Sequence, residues 1–169
     1  MTTRRRAVLS VGANLGDRAG TLTECVTAIA RIPDTDVLAV SPVYETAPVG
    51  GPPQPDYLNA VLAVRTGLRP RALLDAVHGI EARFGRVRGE RFGPRTLDID
   101  IVSYCGEVSS DPALTLPHPR AHERAFVLVP WHDIEPAAEL PGHGPVQRLL
   151  AGLDRSGVRL RPDVVLGPA

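Results

Sequence analysis

Asp98 and Asp100 stand two residues apart in Thr96-Leu97-Asp98-Ile99-Asp100-Ile101-Val102. On a strand this alternation sends Leu97, Ile99 and Ile101 to one face and both aspartates to the other. Their Cα atoms are then about 6–7 Å apart. Two unscreened carboxylates at that range repel by roughly 2 kcal/mol at an effective dielectric near 20. Asp is also a poor strand former. A positive ion between the two makes the pair tolerable, and Mg²⁺ suits them because it takes one or two carboxylates together with substrate phosphates. The plainer alternatives are a solvent-facing strand with two ordinary acids, or acids paired with nearby arginines.

The segment just before the strand carries Arg83, Arg86, Arg88, Arg91 and Arg95, interrupted by Gly85, Gly89 and Gly93. Glycines let a chain bend, and guanidinium forks match phosphate oxygens. An arginine loop feeding a two-carboxylate strand has the parts needed for transfer from a nucleoside triphosphate. A solvated basic loop and an RNA-binding loop are the alternatives. The two acids oppose the second, because without a metal they repel a phosphate backbone.

Weaker signals surround these. His78 and Glu81 lie one helical turn apart, and spacing alone reads them as solvated helix surface. His118, His122 and Glu123 lack the order of a His-Glu-x-x-His zinc motif, so contact of His118 or Arg124 with a nucleotide is the better reading. Tyr57 and Asn59 share a strand face, an aromatic plate and an amide able to stack on and hydrogen-bond a flat heterocycle. Gly12-Ala13-Asn14-Leu15-Gly16 follows a strand and precedes a helix but is no dinucleotide fingerprint; its default meaning is a tight turn.

These residues need a scaffold. Residues 6–12 read as a first strand. Asp17 caps a helix to about Arg31 with Leu22, Val26 and Ile29 inward. A second strand spans Asp36 to Thr46, a Gly-Pro loop Ala47 to Pro55, and a third strand Tyr57 to Thr66. Pro70 opens a second helix whose stripe is Leu73, Val77, Ile80 and Phe84. Thr96 to Tyr104 is the fourth strand. The order β-α-β-β-α-β is the ferredoxin-like split unit. The fold class expected is α+β, with a mostly antiparallel sheet and both helices on one face. Residues 106–169 read as irregular and proline-rich, with an apolar run Ala125 to Val129 and a short helix Val146 to Leu153. As C-terminal additions they cover the other face, giving a three-layer α/β/α single domain over 1–169, loose from about Pro162.

Composition sets outer limits. The chain has 169 residues, balanced at 19 basic and 19 acidic, and every basic residue is arginine. Without lysine there is no standard P-loop and no Schiff-base chemistry. Balanced charge opposes a general nucleic-acid binder. Only 4% of residues are aromatic, so an aliphatic core is expected. Cys25 and Cys105, in apolar segments, read as reduced core residues. No segment reaches the roughly 18 apolar residues of a membrane span, and a cytoplasmic protein is expected.

Taken together, several stretches resemble the 6-hydroxymethyl-7,8-dihydropterin pyrophosphokinase family. They are Gly12 to Gly16, Tyr44-Glu45-Thr46-Ala47-Pro48-Val49-Gly50, Gln54 to Ala60, Arg86-Val87-Arg88, Arg91 to Ile101, and Pro117-His118 through Arg124-Ala125-Phe126. They run in order over roughly 7 to 135, and Arg91 to Ile101 is the most specific. The resemblance implies pyrophosphate transfer from ATP to the pterin hydroxymethyl oxygen, with release of AMP. It implies that Asp98 and Asp100 hold two Mg²⁺ ions and that Arg86 and Arg95 stabilise transferring charge. His78, Glu81, Arg88, Arg91, Ile101, Thr115, His118 and Arg124 correspond to the ATP site. Tyr57 and Phe126 correspond to plates sandwiching the pterin, whose edge Asn59 and backbone groups at Thr46, Ala47 and Val49 read. The chain departs from the usual pattern at Ala13, Phe92 and Pro119. The partners implied are the two small molecules, with no nucleic acid and no membrane, acting as a monomer or weak homodimer. The rivals are another Mg²⁺-dependent nucleotidyl, glycosyl or phosphoryl transferase, separable by its released product, and a ferredoxin-like RNA-binding module, separable by a steep salt slope in RNA binding.

Overall fold

The computed structural model describes residues 3–48, 50–84 and 96–167. Two strands read almost continuously apolar, β1 (Arg5–Ala13) and β4 (Tyr57–Thr66), and are buried along nearly their whole length. Such runs belong at the centre of a sheet covered on both faces. Antiparallel pairing with β4 on one side and β5 (Asp98–Tyr104) on the other puts β1 there. All pairings in this sheet are antiparallel, and its order is β10 (Arg159–Leu160), β3 (Tyr44–Thr46), β4, β1, β5, with β2 (Thr35–Val40) also against β4. The molecule is therefore α+β with a mostly antiparallel sheet.

The single strand expected over Asp36–Thr46 is two strands. Both β2 and β3 pair with β4, but Pro42 has no N–H for the ladder. Ser41 takes over at the break: its N–H donates to Val61 O at 2.9 Å, and its Oγ accepts from Val61 N at 2.8 Å.

Helix α1 (Arg18–Ala30) starts where Asp17 accepts from the Gly20 N–H at 3.1 Å, a normal N-cap. Helix α2 (Pro70–Arg83) starts on proline at its first turn. Leu22, Val26 and Ile29 of α1 and Leu73, Val77 and Ile80 of α2 bury against Leu9, Val11, Leu62, Ile99 and Ile101. A second apolar cluster joins Val8, Val61 and Val102 to Leu128 and Trp131 of α3 (Ala125–Ile134) and to Val146 and Leu150 of α4 (Val146–Ala151). Residues alternating along β1 thus feed opposite faces, as strand pleat requires.

The chain after residue 106 is more ordered than its sequence suggests. It holds the hairpins β6 (Ser109–Asp111)/β7 (Leu114–Leu116) and β8 (Glu139–Leu140)/β9 (Gly144–Pro145), a 3-10 turn at Ala121–Glu123, and both helices. Helix α3 escaped the periodicity because Val127 to Trp131 are all buried, so no polar face marks it. The tail is not loose beyond Pro162, since Leu166 is buried in the first cluster and Val164 packs on it. The core is mainly aliphatic but includes Trp131 and Tyr104, whose hydroxyl donates to Leu68 O at 2.6 Å. Cys25 is buried, and burial with the nearby Glu81 charge pushes its thiol up to about 12. Cys105, expected inside, is exposed in the turn after β5 at φ 49°. Among the described residues no helix is long and apolar enough to cross a membrane.

Candidate functional site

The sheet face that α3 and α4 cover at Val8, Val61 and Val102 continues beyond them. Strand alternation puts Ser10 and Gly12 of β1, Tyr57 and Asn59 of β4, and Asp98 and Asp100 of β5 on that continuation. The pairing sets them in rows. Gly12 lies between Asn59 and Asp98, and Ser10 lies between Val61 and Asp100. Tyr44 and Thr46 of β3 extend the rows past Asn59 and Tyr57. The acids are half-buried and share a face, while Ile99 and Ile101 sit in the core behind them.

The ledge beside the acids is tightly built. Asn59 Nδ2 donates to Thr46 Oγ1 at 2.7 Å, with both side chains buried. A Cβ on Gly12 would stand 2.7 Å from Asn59 Oδ1 and 3.5 Å from Tyr57 Cδ1, so only glycine leaves the amide where it is. Buried Asn14 donates from Nδ2 to Gln54 Oε1 at 2.8 Å and to Pro55 O at 3.0 Å. This fastens the end of the Gly-Pro loop to the end of β1. Gly12, Asn14 and Gln54 lie in stretches that carry the family resemblance, but the sequence assigns them no role of their own. The stretch from Gly12 to Gly16 looked like a tight turn, yet Gly12 and Ala13 close a strand and only Gly16, at φ 65°, has the turn conformation. A glycine ending a buried strand was the available signal, since it marks close approach of another group.

Opposite the ledge, the segment after β7 returns along β5. His118 N–H donates to Val102 O at 2.9 Å, and His118 Nδ1 accepts from Arg120 N–H at 3.2 Å. Burial holds the His118 imidazole down to about 4, helped by Arg124 and Arg120 and opposed by Asp98. Burial also lowers the Arg124 guanidinium, while Asp100 and Asp98 act to raise it. Arg124 therefore senses both acids, and His118 senses Asp98. Arg124 stands over the Phe126 ring at 5.5 Å, a cation–π distance. Thr115 lies on β7, its hydroxyl donating to Asp111 O at 3.1 Å.

The depressed His118 makes a pH prediction. Above about pH 6.5 the imidazole is neutral in both folded and unfolded chains; from there down to about 4 the unfolded chain binds a proton that the folded one refuses. Stability therefore falls as pH drops through this window. Urea unfolding of the ligand-free protein at a series of pH values should show that fall, and His118→Gln should flatten it; an equal slope in the variant contradicts the assignment.

Two expected residues sit elsewhere. Glu81, read from spacing as solvated, is 2% exposed, and its Oε2 accepts from the Ile99 N–H at 2.8 Å. Ile99 lies between the two acids, so Glu81 holds the backbone of the acid strand from behind. His78, one turn earlier on α2, is exposed. The Ile101 side chain is in the core, so only its backbone could meet a ligand on the acid face. Glu81→Ala should lower stability by about 1–3 kcal/mol, the usual cost of a buried donor left unpaired. Glu81→Gln, which keeps an acceptor, should recover much of that in the same denaturation assay.

Ala47 is exposed just after β3, and Phe126 is half-buried on α3. Val49, Arg86, Arg88, Arg91 and Arg95 lie outside the described residues. Among the described residues no group of three or more His, Cys, Asp or Glu could hold a metal ion. The two acids supply hard oxygen donors and leave the rest of a coordination shell to phosphate and water, which fits Mg²⁺ better than a metal needing a full protein cage. His122 instead stacks on His143, with ring centroids 4.1 Å apart and planes 7° from parallel.

Solved structures share this α+β fold. Two Plasmodium falciparum HPPK-DHPS chains, one wild type with pterin and p-hydroxybenzoate and one wild type alone, match 89% of this chain at TM-scores of 0.70 and 0.67, with 15% and 14% identity. The chain spans under half of each, 43% and 45%. Sequence relatives are closer. The 2-amino-4-hydroxy-6-hydroxymethyldihydropteridine pyrophosphokinase of Methylorubrum extorquens is 45% identical, over 90% of this chain and 96% of its own length. Those of Mycobacterium tuberculosis and Pseudomonas aeruginosa are 45% and 39% identical, over 92% and 94% of this chain and 89% and 98% of theirs. The family described as 7,8-dihydro-6-hydroxymethylpterin-pyrophosphokinase (HPPK) matches residues 8–136. The chain belongs to this family of enzymes.

Proposed function

We propose that the protein transfers pyrophosphate from ATP to the hydroxymethyl group of 6-hydroxymethyl-7,8-dihydropterin, releasing AMP, in folate biosynthesis. Family membership supports the reaction. The observation that carries it to these residues is the row in which Gly12 separates the Asn59 amide from Asp98 on a single sheet face. On this reading the heterocycle lies over β4 and the triphosphate over β5, on either side of β1.

The pterin stacks between Tyr57 and Phe126. Its hydrogen-bonding edge meets Asn59, held by Thr46, and backbone groups at Ala47 and Val49. ATP is bound by Thr115, His118, Arg124, Arg88 and Arg91 and by the backbone at Ile101, with His78 at the margin and Glu81 acting through Ile99. The hydroxymethyl oxygen attacks the β-phosphorus; its new O–P bond forms as the bond from that phosphorus to the α,β-bridging oxygen breaks. AMP leaves with the bridging electrons, and the hydroxyl proton passes to solvent. Asp98 and Asp100 hold two Mg²⁺ ions, which supply charge neutralisation along the phosphates. Arg86 and Arg95 neutralise charge on the transferring group. Positioning and electrostatics then account for most of the acceleration.

The strand order β5-β1-β4, with β2 and β3 both on the far side of β4 and β10 added beyond β3, supports a ferredoxin-like core. The two apolar clusters support three layers and a single domain over 1–169. We place the enzyme in the cytoplasm as a monomer or weak homodimer.

Incubation with ATP, Mg²⁺ and the reduced hydroxymethylpterin tests the reaction: pterin-dependent AMP is expected, and release of pyrophosphate or a nucleoside diphosphate overturns it. Arg95→Ala should lower kcat by at least about 100-fold while changing the KM for ATP far less. If only KM rises, Arg95 contributes uniform binding and its charge-stabilising role fails.

A further inference from the structure

The C-terminal segment forms a clamp beneath the ledge. Strand β10 adds to the free side of β3, with Arg159 opposite Glu45 and Leu160 opposite Tyr44. Arg161 N–H donates to Val43 O at 2.8 Å, continuing the attachment past the last strand pair. Side chains of this segment then converge on two carboxylates. Arg161 lies 3.2 Å and Arg159 3.8 Å from Glu45 Oε1, while Arg18, at the start of α1, reaches Glu45 Oε2 at 2.6 Å. Arg159 also pairs with Asp56 at 2.7 Å, and Arg18 donates to the Asp56 carbonyl at 2.9 Å. Arg161 is itself held by a two-pronged contact with Asp163, each prong 2.9 Å.

The two clamped acids are not scattered. Glu45 immediately precedes Thr46, Asp56 immediately precedes Tyr57, and Thr46 and Tyr57 are register partners. By strand alternation Glu45 points to the face opposite Thr46. The arginines therefore grip the underside of the strand pair whose upper side carries Thr46, Tyr57 and Asn59, and Thr46 passes the constraint to Asn59 through its 2.7 Å hydrogen bond. The Glu45 carboxyl is held below its ordinary range, chiefly by the Arg18 hydrogen bond, as expected of an acid kept ionised within a cationic cluster. Isolated exposed ion pairs contribute little, but a network sharing one carboxylate among three guanidiniums is the case in which they do contribute. Burial of Leu166 anchors the far end of the segment in the core.

We propose that residues 159–166 are a positioning strap: Arg159 and Arg161, through Glu45 and Asp56, preorganise the heterocycle subsite at Thr46, Tyr57 and Asn59 without touching ligand or the acid pair. The inference rests on the reading of that ledge as the pterin site. Its signature is selectivity, because loosening the strap weakens the heterocycle side and spares the triphosphate side.

The test compares the full chain with the double variant Arg159→Ala/Arg161→Ala. Calorimetry measures affinity for the hydroxymethylpterin in the presence of a non-hydrolysable ATP analogue, and affinity for the analogue alone; steady-state assays give both KM values and kcat. The expected result is a rise in pterin Kd and KM of about fivefold, as for one well-formed ion-pair network, with analogue affinity and kcat at saturating pterin within about twofold. Arg159→Lys/Arg161→Lys, which keeps the charge, should recover most of the loss. If the alanine variant folds poorly, Glu45→Gln removes the central charge at nearly constant shape and should show the same selectivity. Unchanged pterin affinity, or equal loss for both ligands, overturns the strap. Absence of pterin binding by the unaltered chain overturns the functional reading itself, and the strap with it.

Discussion

Replacing Asp98 or Asp100 by alanine should abolish turnover and leave the fold intact. Each acid is one of two hard oxygen donors on the open face, and each is flanked by β1 at Gly12 or Ser10. Losing one leaves the triphosphate charge uncompensated where the bond breaks, and kcat should fall by at least about 1,000-fold, the scale seen when a charge-neutralising group is removed from phosphoryl transfer. The strand survives for two reasons. Its packing comes from Ile99 and Ile101 on the opposite face, and its backbone is held by β1 and by Glu81. Removing one of two neighbouring like charges also relieves repulsion, so the thermal midpoint in the absence of ligands should hold or rise. Asp98→Asn and Asp100→Asn separate charge from shape and should be nearly as inactive. Near-normal turnover in any of these variants would count decisively against the metal assignment.

Gly12→Ala is the second large effect, and it acts on the other substrate. The added carbon would stand 2.7 Å from Asn59 Oδ1, closer than ordinary contact permits. The backbone of β1 cannot yield, since it is bonded to both neighbouring strands. The Asn59 amide must turn instead, breaking its bond to Thr46 and rotating the edge proposed to meet the heterocycle. At roughly 1.5 kcal/mol for each hydrogen bond lost, two misplaced bonds raise the pterin KM by about 100-fold. The KM for ATP should move little. A calorimetric titration with pterin and an ATP analogue separates the two ligands, and equal losses for both would show that the substitution deforms the sheet rather than the amide.

How far these features were legible in the sequence depends on the kind of signal each residue leaves. The acid pair was visible because strand alternation fixes side-chain direction without any tertiary information. Tyr57 and Asn59 were visible for the same reason, and Asp17 and Pro70 because helix starts are local chemistry. Glu81 was misread: spacing places it beside an apolar stripe but cannot show that the N–H of a strand eighteen residues later lies against it. Gly12 was misread because a glycine's role depends on what approaches it, and that neighbour, Asn59, is far along the chain. Helix α3 left no periodic trace because neighbours surround Val127 to Trp131. The break between β2 and β3 was written in Pro42, but only pairing with β4 shows that both pieces remain in one sheet.

The position of β1 between β4 and β5 has a consequence for how the two ligands meet. Asn59 and Asp98 are each one strand removed from Gly12, so two inter-strand spacings, about 9.6 Å, separate the backbones that carry them. No side-chain rotation changes that interval, and a strand bonded on both flanks cannot slide without unfolding. On the proposed assignment the floor of the site is thus a fixed ruler: the interval between the pterin side and the phosphate side is set by the sheet and not by side-chain movement.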